Sequence, residues 1–280
     1  MPSLATHQSN EYTKLLAIGD SKSGKTGSLV SLVKAGYKLR ILDFDNGLDV
    51  LKQFVLRDCP QNLGNIEYRT LRDNYKATEE GPVIEGKATA FINALKMLDR
   101  WVYDDIDYGD PAEWGPDVIL VIDSFTFMSD AAFAFREPLT PKGKMGTYDK
   151  RAVYGDSQNQ LEKVLAALTS GNFKTNVIVI SHVRYVDNPD GMKKGYPSSV
   201  GAALSPTIPA YFNNVVRYAN IGGRRQIETI SSPMFDLATA KPFEMPNKLP
   251  IETGLADIFT TLRAKPALPK LTVPSKLRRI

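Results

Sequence analysis

The sequence predicts an α/β fold: a mostly parallel, twisted sheet covered by helices on both faces, with an antiparallel hairpin at one edge. Three observations predict it. Short apolar runs alternate along the chain with segments of helical periodicity, the pattern of parallel strands joined by helical crossovers. Two runs, Val118-Ile119-Leu120-Val121-Ile122 and Val177-Ile178-Val179-Ile180, are apolar throughout, as strands buried on both faces are. Residues 215–221 and 224–230 flank Gly222-Gly223 and read as a hairpin.

In chain order, residues 1–12 read as a flexible lead and residues 15–18 (Leu-Leu-Ala-Ile) as the first strand. That strand runs into Gly19-Asp20-Ser21-Lys22-Ser23-Gly24-Lys25-Thr26-Gly27, after which Leu29, Leu32 and Val33 mark a helix face. The stretch contains G-x-x-x-x-G-K-T in the strand–loop–helix context that the phosphate-binding P-loop needs. Its glycines let successive N–H groups curl toward phosphate oxygens, and a helix N-terminus adds partial positive charge. Lys25 would reach the β- and γ-phosphates and the Thr26 hydroxyl would bind Mg²⁺. Residues 19–27 are therefore the candidate ATP-binding segment, with ATP and Mg²⁺ as cofactors.

Gly36 reads as a C-cap, and residues 38–45 as a second strand ending Asp43-Phe44-Asp45 before an Asn46-Gly47 turn. Leu48, Leu51 and Val55 suggest a helix stopped by Pro60, and residues 66–71 a third strand. Residues 72–86 read as loop. Residues 87–103 form an amphipathic helix with Ala88, Phe91, Ile92, Leu95, Leu98 and Val102 on one face. Residues 104–116 are an acidic, Gly/Pro-rich loop. After strand 118–122 come an aromatic helix (125–135), a polar loop (137–151), a helix (157–169), strand 176–180 and a long polar loop (184–205). The hairpin and a last helix (254–263) complete a domain of residues 13–263, followed by a basic tail, 264–280.

Composition narrows the class. The 280 residues carry a net charge of only +4, so charge alone does not announce a nucleic-acid binder. A single cysteine, Cys59, excludes an intramolecular disulfide and a multi-cysteine zinc site, and suits a reducing cytosol. No apolar run approaches the roughly 18 residues of a membrane span, and no signal-peptide pattern opens the chain.

The informative polar residues fall at strand ends, where ligands bind in such folds. Asp123 ends strand 118–122, the Walker B pattern, and its carboxylate would hold the hydrated Mg²⁺. Ser124 follows where many nucleotide-driven motors carry a catalytic glutamate, so water activation falls to another residue. Asp45 is the leading candidate, on the expectation that the second strand lies beside the first; Asp43 is the runner-up. His182 ends strand 177–181 and can face the γ-phosphate and report it to the following loop.

These motifs, with Ile180-Ser181-His182-Val183-Arg184 and Ala210-Tyr211-Phe212-Asn213-Asn214-Val215-Val216, resemble the RecA-like P-loop ATPases over residues 12–246. The resemblance is greatest to phage-encoded members linked to single-strand annealing and recombination. It implies an ATPase with Lys25 as the phosphate-binding lysine, Asp45 in place of the family's catalytic Glu and His182 in place of its usual Gln sensor. An Asp one methylene shorter implies slow hydrolysis. The family's two DNA-binding loops map to residues 137–151 and 184–205. There Arg136, Lys142, Lys144, Lys150, Arg151, Arg184, Lys193 and Lys194 could meet phosphates, and Tyr148 or Tyr185 could stack on bases. Lys241, in Ala238-Thr239-Ala240-Lys241-Pro242, would cross a subunit interface to a neighbour's ATP. Self-association with ATP between subunits, single-stranded DNA and a single-strand-binding protein are the implied partners, in the cytoplasm of a host cell. A second reading stays open: a nucleotide-gated loader, assembly factor or regulator without functional DNA contact. A small-molecule kinase is a third, disfavoured by the two long basic loops and by the lack of an Arg-rich lid.

Overall fold

The computed structural model describes residues 11–141, 149–187 and 191–264. Strand β1 (Lys14–Gly19) is buried along its whole length. The helix expected after it comes in two short pieces, α1 (Lys25–Ser28) and α2 (Val30–Lys34). The break has a local cause: the Ser28 hydroxyl donates to the Lys25 carbonyl at 2.7 Å, a back-bond that competes with the helical ladder. Strand β2 (Lys38–Asp43), helix α3 (Asp49–Asp58) and strand β3 (Ile66–Thr70) follow where the Asn46-Gly47 turn and Pro60 place them.

Residues 72–86, expected as loop, hold a hairpin of β4 (Tyr75–Thr78) and β5 (Gly81–Ile84). No residue of either strand is buried, so neither shows the one-sided apolar alternation that betrays a strand in sequence. Helix α4 (Ala90–Asp99) is shorter than the expected 87–103, because the Asp73 carboxylate accepts from the N–H groups of Thr89 and Ala90 and fixes its start. Its buried face is Ala90, Phe91, Ala94 and Met97, whereas Leu95 and Leu98 pack at the margin. A small hairpin, β6 (Val102–Tyr103) with β7 (Ile106–Asp107), interrupts the acidic loop.

Strand β8 (Gly115–Asp123) leads into α5 (Phe125–Arg136). Helix α6 (Lys150–Thr169) starts well before residue 157, with the Asp149 side chain accepting from the Arg151 N–H at 3.0 Å. The polar opening and Gly155 hid that start. Lys150 and Arg151 therefore sit on a capped helix turn and not in a loop; Lys142, Lys144 and Tyr148 lie outside the described residues. Strand β9 (Thr175–Ser181) precedes a second correction. The expected loop 184–205 opens as an antiparallel hairpin of β10 (Val183–Asp187) and β11 (Lys193–Pro197). Strands β12 (Asn214–Ile221) and β13 (Arg224–Glu228) form the expected hairpin; β14 (Lys248–Pro250) and α7 (Gly254–Arg263) close the domain. Residues 1–10 of the lead and the tail from 265 onward lie outside the described residues.

The main sheet runs β14-β13-β12-β1-β9-β8-β2-β3, parallel from β12 to β3, with β13 antiparallel to both its neighbours. Strand β2 is thus not beside β1, as expected; β9 and β8 stand between them. Alternate strand residues feed two cores. Leu16, Ile18, Leu42, Leu120, Ile122, Val177 and Val179 pack with α4, α5 and α6, while Leu15, Ala17, Ile41, Ile119, Val121, Ile178 and Ile180 pack with α2, α3 and α7. At about 1.5–3 kcal/mol per buried aliphatic side chain, these two layers fix the strand order and hence which strand ends meet.

Candidate functional site

Four parallel strands end together at one edge of the sheet: β1 at Gly19, β9 at Ser181, β8 at Asp123 and β2 at Asp43. The loop after β1 is shaped by its glycines. Gly24 has φ +101, which L side chains rarely adopt, and a Cβ there would lie 2.4 Å from Ile251 Cδ1. A Cβ on Gly19 would meet the Tyr218 carbonyl oxygen at 2.7 Å. Inside the loop, Lys25 Nζ donates to the carbonyls of Gly19 (2.7 Å) and Asp20 (2.8 Å). Burial pulls the Lys25 ammonium down to about 8, opposed by the charges of Asp123, Asp45 and Asp20.

The Thr26 hydroxyl donates to Asp123 Oδ2 at 2.7 Å. Burial raises the Asp123 carboxyl to about 7, with the Thr26 hydrogen bond pulling the other way. A hydroxyl and a carboxylate in contact, both hard oxygen donors, suit Mg²⁺. Among the described residues no cluster of three or more His, Cys, Asp or Glu side chains could hold a metal by itself. Thr26 and Asp123 would therefore share the ion with phosphate oxygens and water.

Asp45 reaches the site although β2 is remote from β1. The chain after β2 folds over the end of β8, with the N–H groups of Phe44 and Asp45 donating to the Asp123 carbonyl at 2.6 and 3.2 Å. Asp45 Oδ1 accepts from the Ser124 N–H (3.0 Å) and hydroxyl (2.6 Å), and Oδ2 lies 3.2 Å from His182 Nε2. Burial disfavours its charge, but the hydrogen bonds of His182 and Ser124 win and hold its carboxyl below the usual range. His182 Nδ1 in turn lies 3.5 Å from Lys25 Nζ. Lys25, Thr26, Asp123, Asp45 and His182 are thus one contiguous cluster. The runner-up, Asp43, serves the turn instead: it accepts from the Asn46 and Gly47 N–H groups and the Thr70 hydroxyl.

Lys241 is not in that cluster. It belongs to the opposite end of the sheet, where Ala240 N–H donates to the Asn214 side chain and Lys241 Nζ donates to the Ala264 carbonyl and to Glu244. The basic residues expected to meet DNA are partly engaged. Arg184 donates to the Gly201 carbonyl at 2.9 Å, Lys194 pairs with Asp236 at 2.6 Å, and Arg136 with Asp156 at 2.8 Å. Lys150, Arg151 and Lys193 are exposed. The two regions adjoin, since Gly201 packs on Gln158 and Tyr154 of α6. Tyr185 does not offer a free hydroxyl: it donates to the Asp20 carboxylate at 3.2 Å, tying the β10–β11 hairpin to the P-loop.

Two features were missed in the sequence. Ser124 is the principal anchor of Asp45, signalled only by its place after the Walker B strand. A cavity of about 680 Å³ flanks the P-loop, lined by Gly24, Gly27, Phe54, Arg224, Arg225 and Ile251 among others; its walls come from four separate segments, and no local pattern marks it.

A glycine-shaped phosphate loop, a threonine bonded to a strand-end aspartate and a buried lysine, all on a parallel sheet, define a P-loop nucleotide-binding protein. The chain belongs to the AAA domain family, whose model matches residues 11–236. No curated protein matches the sequence. Among solved structures it is similar to the RadB recombinase, at 18% identity and a TM-score of 0.40, over 77% of this chain and 79% of that one. It is also similar to the ATP synthase subunit NeqB from Nanoarcheaum equitans, at 10% identity and a TM-score of 0.38, over 74% of this chain and 47% of that one. Neither likeness bears on what this chain does. Among the described residues no helix is long and apolar enough to cross a membrane.

Proposed function

We propose that the chain is an ATP- and Mg²⁺-dependent ATPase that binds single-stranded DNA and acts in annealing or strand exchange. The observation that carries the ATPase is the cluster in which Thr26 bonds Asp123, His182 stands between Lys25 and Asp45, and the Asp45 N–H donates to the Asp123 carbonyl. Lys25 binds the β- and γ-phosphates, the loop N–H groups cradle them, and Thr26 and Asp123 hold Mg²⁺, which neutralises charge on the phosphoryl oxygens. The cavity beside Gly24 has the size and the arginines to take the nucleoside and its α-phosphate.

The DNA reading rests on the resemblance and on placement. Arg184 and Lys193 lie on the hairpin that leaves His182, Lys150 and Arg151 open the adjoining helix, and Tyr185 links that hairpin to Asp20 of the P-loop. Nucleotide at the loop would thereby bias the surface that meets the phosphate backbone. The finer relation to phage recombination ATPases, ATP shared between subunits and Lys241 acting across the interface belong to the same reading. One observation favours the alternative of a nucleotide-gated loader or regulator: Arg184 and Lys194 already have partners within the chain. Fluorescence anisotropy of a labelled single-stranded oligonucleotide separates the two. Binding that needs a non-hydrolysable ATP analogue with Mg²⁺, weakens with salt and is lost in Lys25→Ala supports the DNA reading. Retained ATP binding with no oligonucleotide binding in any nucleotide state supports the alternative.

A further inference from the structure

We propose that His182 takes the proton from the water that attacks the γ-phosphate, and that Asp45 is a positioning residue that holds His182 for this task. The inference rests on the ATPase reading above and assigns the roles within it. It inverts the expectation that Asp45 activates water directly.

Both oxygens of Asp45 are already engaged. Oδ1 accepts twice from Ser124, and Oδ2 faces His182 Nε2 at 3.2 Å. The imidazole stands between Asp45 and Lys25, with Nδ1 at 3.5 Å from Nζ. Its tautomer follows from its neighbours. A lysine ammonium has only donors and an ionised carboxylate only acceptors. Nε2 therefore carries the hydrogen, and Nδ1 keeps a lone pair on the side of the phosphate-binding lysine. The ring is also packed by Phe127, at 5.8 Å and 80°, and the residue's backbone is anchored where its main-chain N–H donates to Thr126 Oγ1 at 3.0 Å. A neutral imidazole with its lone pair at the phosphate end and its N–H on a carboxylate is the arrangement of a general base with its orienter.

Once phosphate oxygens engage Lys25, Nδ1 is released to accept from a water. In the step, the water oxygen bonds to the γ-phosphorus and the bond to the β–γ bridging oxygen breaks, its electron pair leaving with ADP. The water proton passes to Nδ1, and Asp45 balances the imidazolium until that proton is released to phosphate or solvent. The shortness of Asp45 then has a use, because it leaves room for the ring between carboxylate and phosphate.

The test is single-turnover hydrolysis with parallel ATP affinity for the wild-type chain, His182→Gln, Asp45→Asn and Asp45→Glu. Glutamine keeps a hydrogen-bonding side chain at 182 but cannot take a proton. His182→Gln should bind ATP within about threefold of wild type and hydrolyse it on the order of 10²-fold or more slowly. Asp45→Asn should lose rate at unchanged affinity, since an amide no longer fixes the tautomer, and Asp45→Glu should lose rate by crowding the ring. The proposal is overturned if His182→Gln hydrolyses within about threefold of wild type, if its loss of rate follows a loss of affinity, or if Asp45→Glu is faster than wild type. The ATPase reading fails in a different place: a wild-type chain that binds ATP and never cleaves it overturns both.

Discussion

Asp123 should make the chain less stable as pH rises, and Asp123→Asn should relieve it. The carboxyl is 1% exposed, and burial lifts it from an ordinary 3.8 to about 7. Between those values the native chain holds a proton that the unfolded chain has lost. Stability therefore falls as pH rises from about 4 to 7, and the penalty is complete above 7. At about 1.36 kcal/mol per pH unit, the gap corresponds to about 4 kcal/mol. Asparagine keeps an acceptor for the Thr26 hydroxyl and carries no charge. In urea titrations without nucleotide, Asp123→Asn should exceed wild type by about 2–4 kcal/mol at pH 8 and match it within about 1 kcal/mol at pH 4. Adding ATP and Mg²⁺ should stabilise wild type more than the variant. Equal midpoints at pH 8, or the same pH slope in both proteins, would refute the assignment of Asp123 as a buried carboxylate kept for a cation.

Other predictions follow from single contacts. Lys14 is buried, donates to the Phe173 and Thr175 carbonyls, and is lowered by burial from 10.5 to about 7. The unfolded chain then holds the extra proton between about pH 7 and 10, so wild type should gain stability across that window; Lys14→Met should flatten the rise, costing about 1–3 kcal/mol near pH 10 through the two stranded carbonyls and less near pH 7, where it also removes the buried charge. Gly24→Ala combines φ +101 with a 2.4 Å approach to Ile251; equilibrium ATP binding should weaken about fivefold or more, on about 1–3 kcal/mol of loop strain. Phe125→Ala, at a fully buried position beneath the site, should lower stability by about 3–5 kcal/mol in the same urea assay. Lys150→Ala with Arg151→Ala should weaken oligonucleotide binding at every sequence and reduce the salt slope by about 1–2, as lost phosphate contacts do.

The strands of the main sheet were legible because each carries its own signal. The Val118–Ile122 and Val177–Ile180 runs need no partner to be read, and G-x-x-x-x-G-K-T names its chemistry by spacing alone. Lys25 and Thr26 follow from the motif, Asp123, Asp45 and His182 from their places at strand ends, and the five meet. What failed was information held between segments. The order that puts β9 and β8 between β1 and β2 is set by packing of both faces and has no local trace. The β4–β5 and β10–β11 hairpins are mostly exposed, so polar composition disguised them as loop. Ser124 stands where many motors carry a glutamate, and nothing local signals that its N–H and hydroxyl hold Asp45. The tie from the Tyr185 hydroxyl to Asp20 spans 165 residues in sequence, so no local pattern signals it.

The central claim is that Lys25, Thr26 and Asp123 form a working Mg²⁺–ATP centre. The most direct measurement is phosphate release from ATP by the wild-type chain, with Mg²⁺ and with chelator, beside Lys25→Ala and Thr26→Ala. The account predicts slow release that requires Mg²⁺ and falls at least tenfold in both variants while the proteins stay folded. Release that is indifferent to chelator, or undiminished in Lys25→Ala, would contradict it.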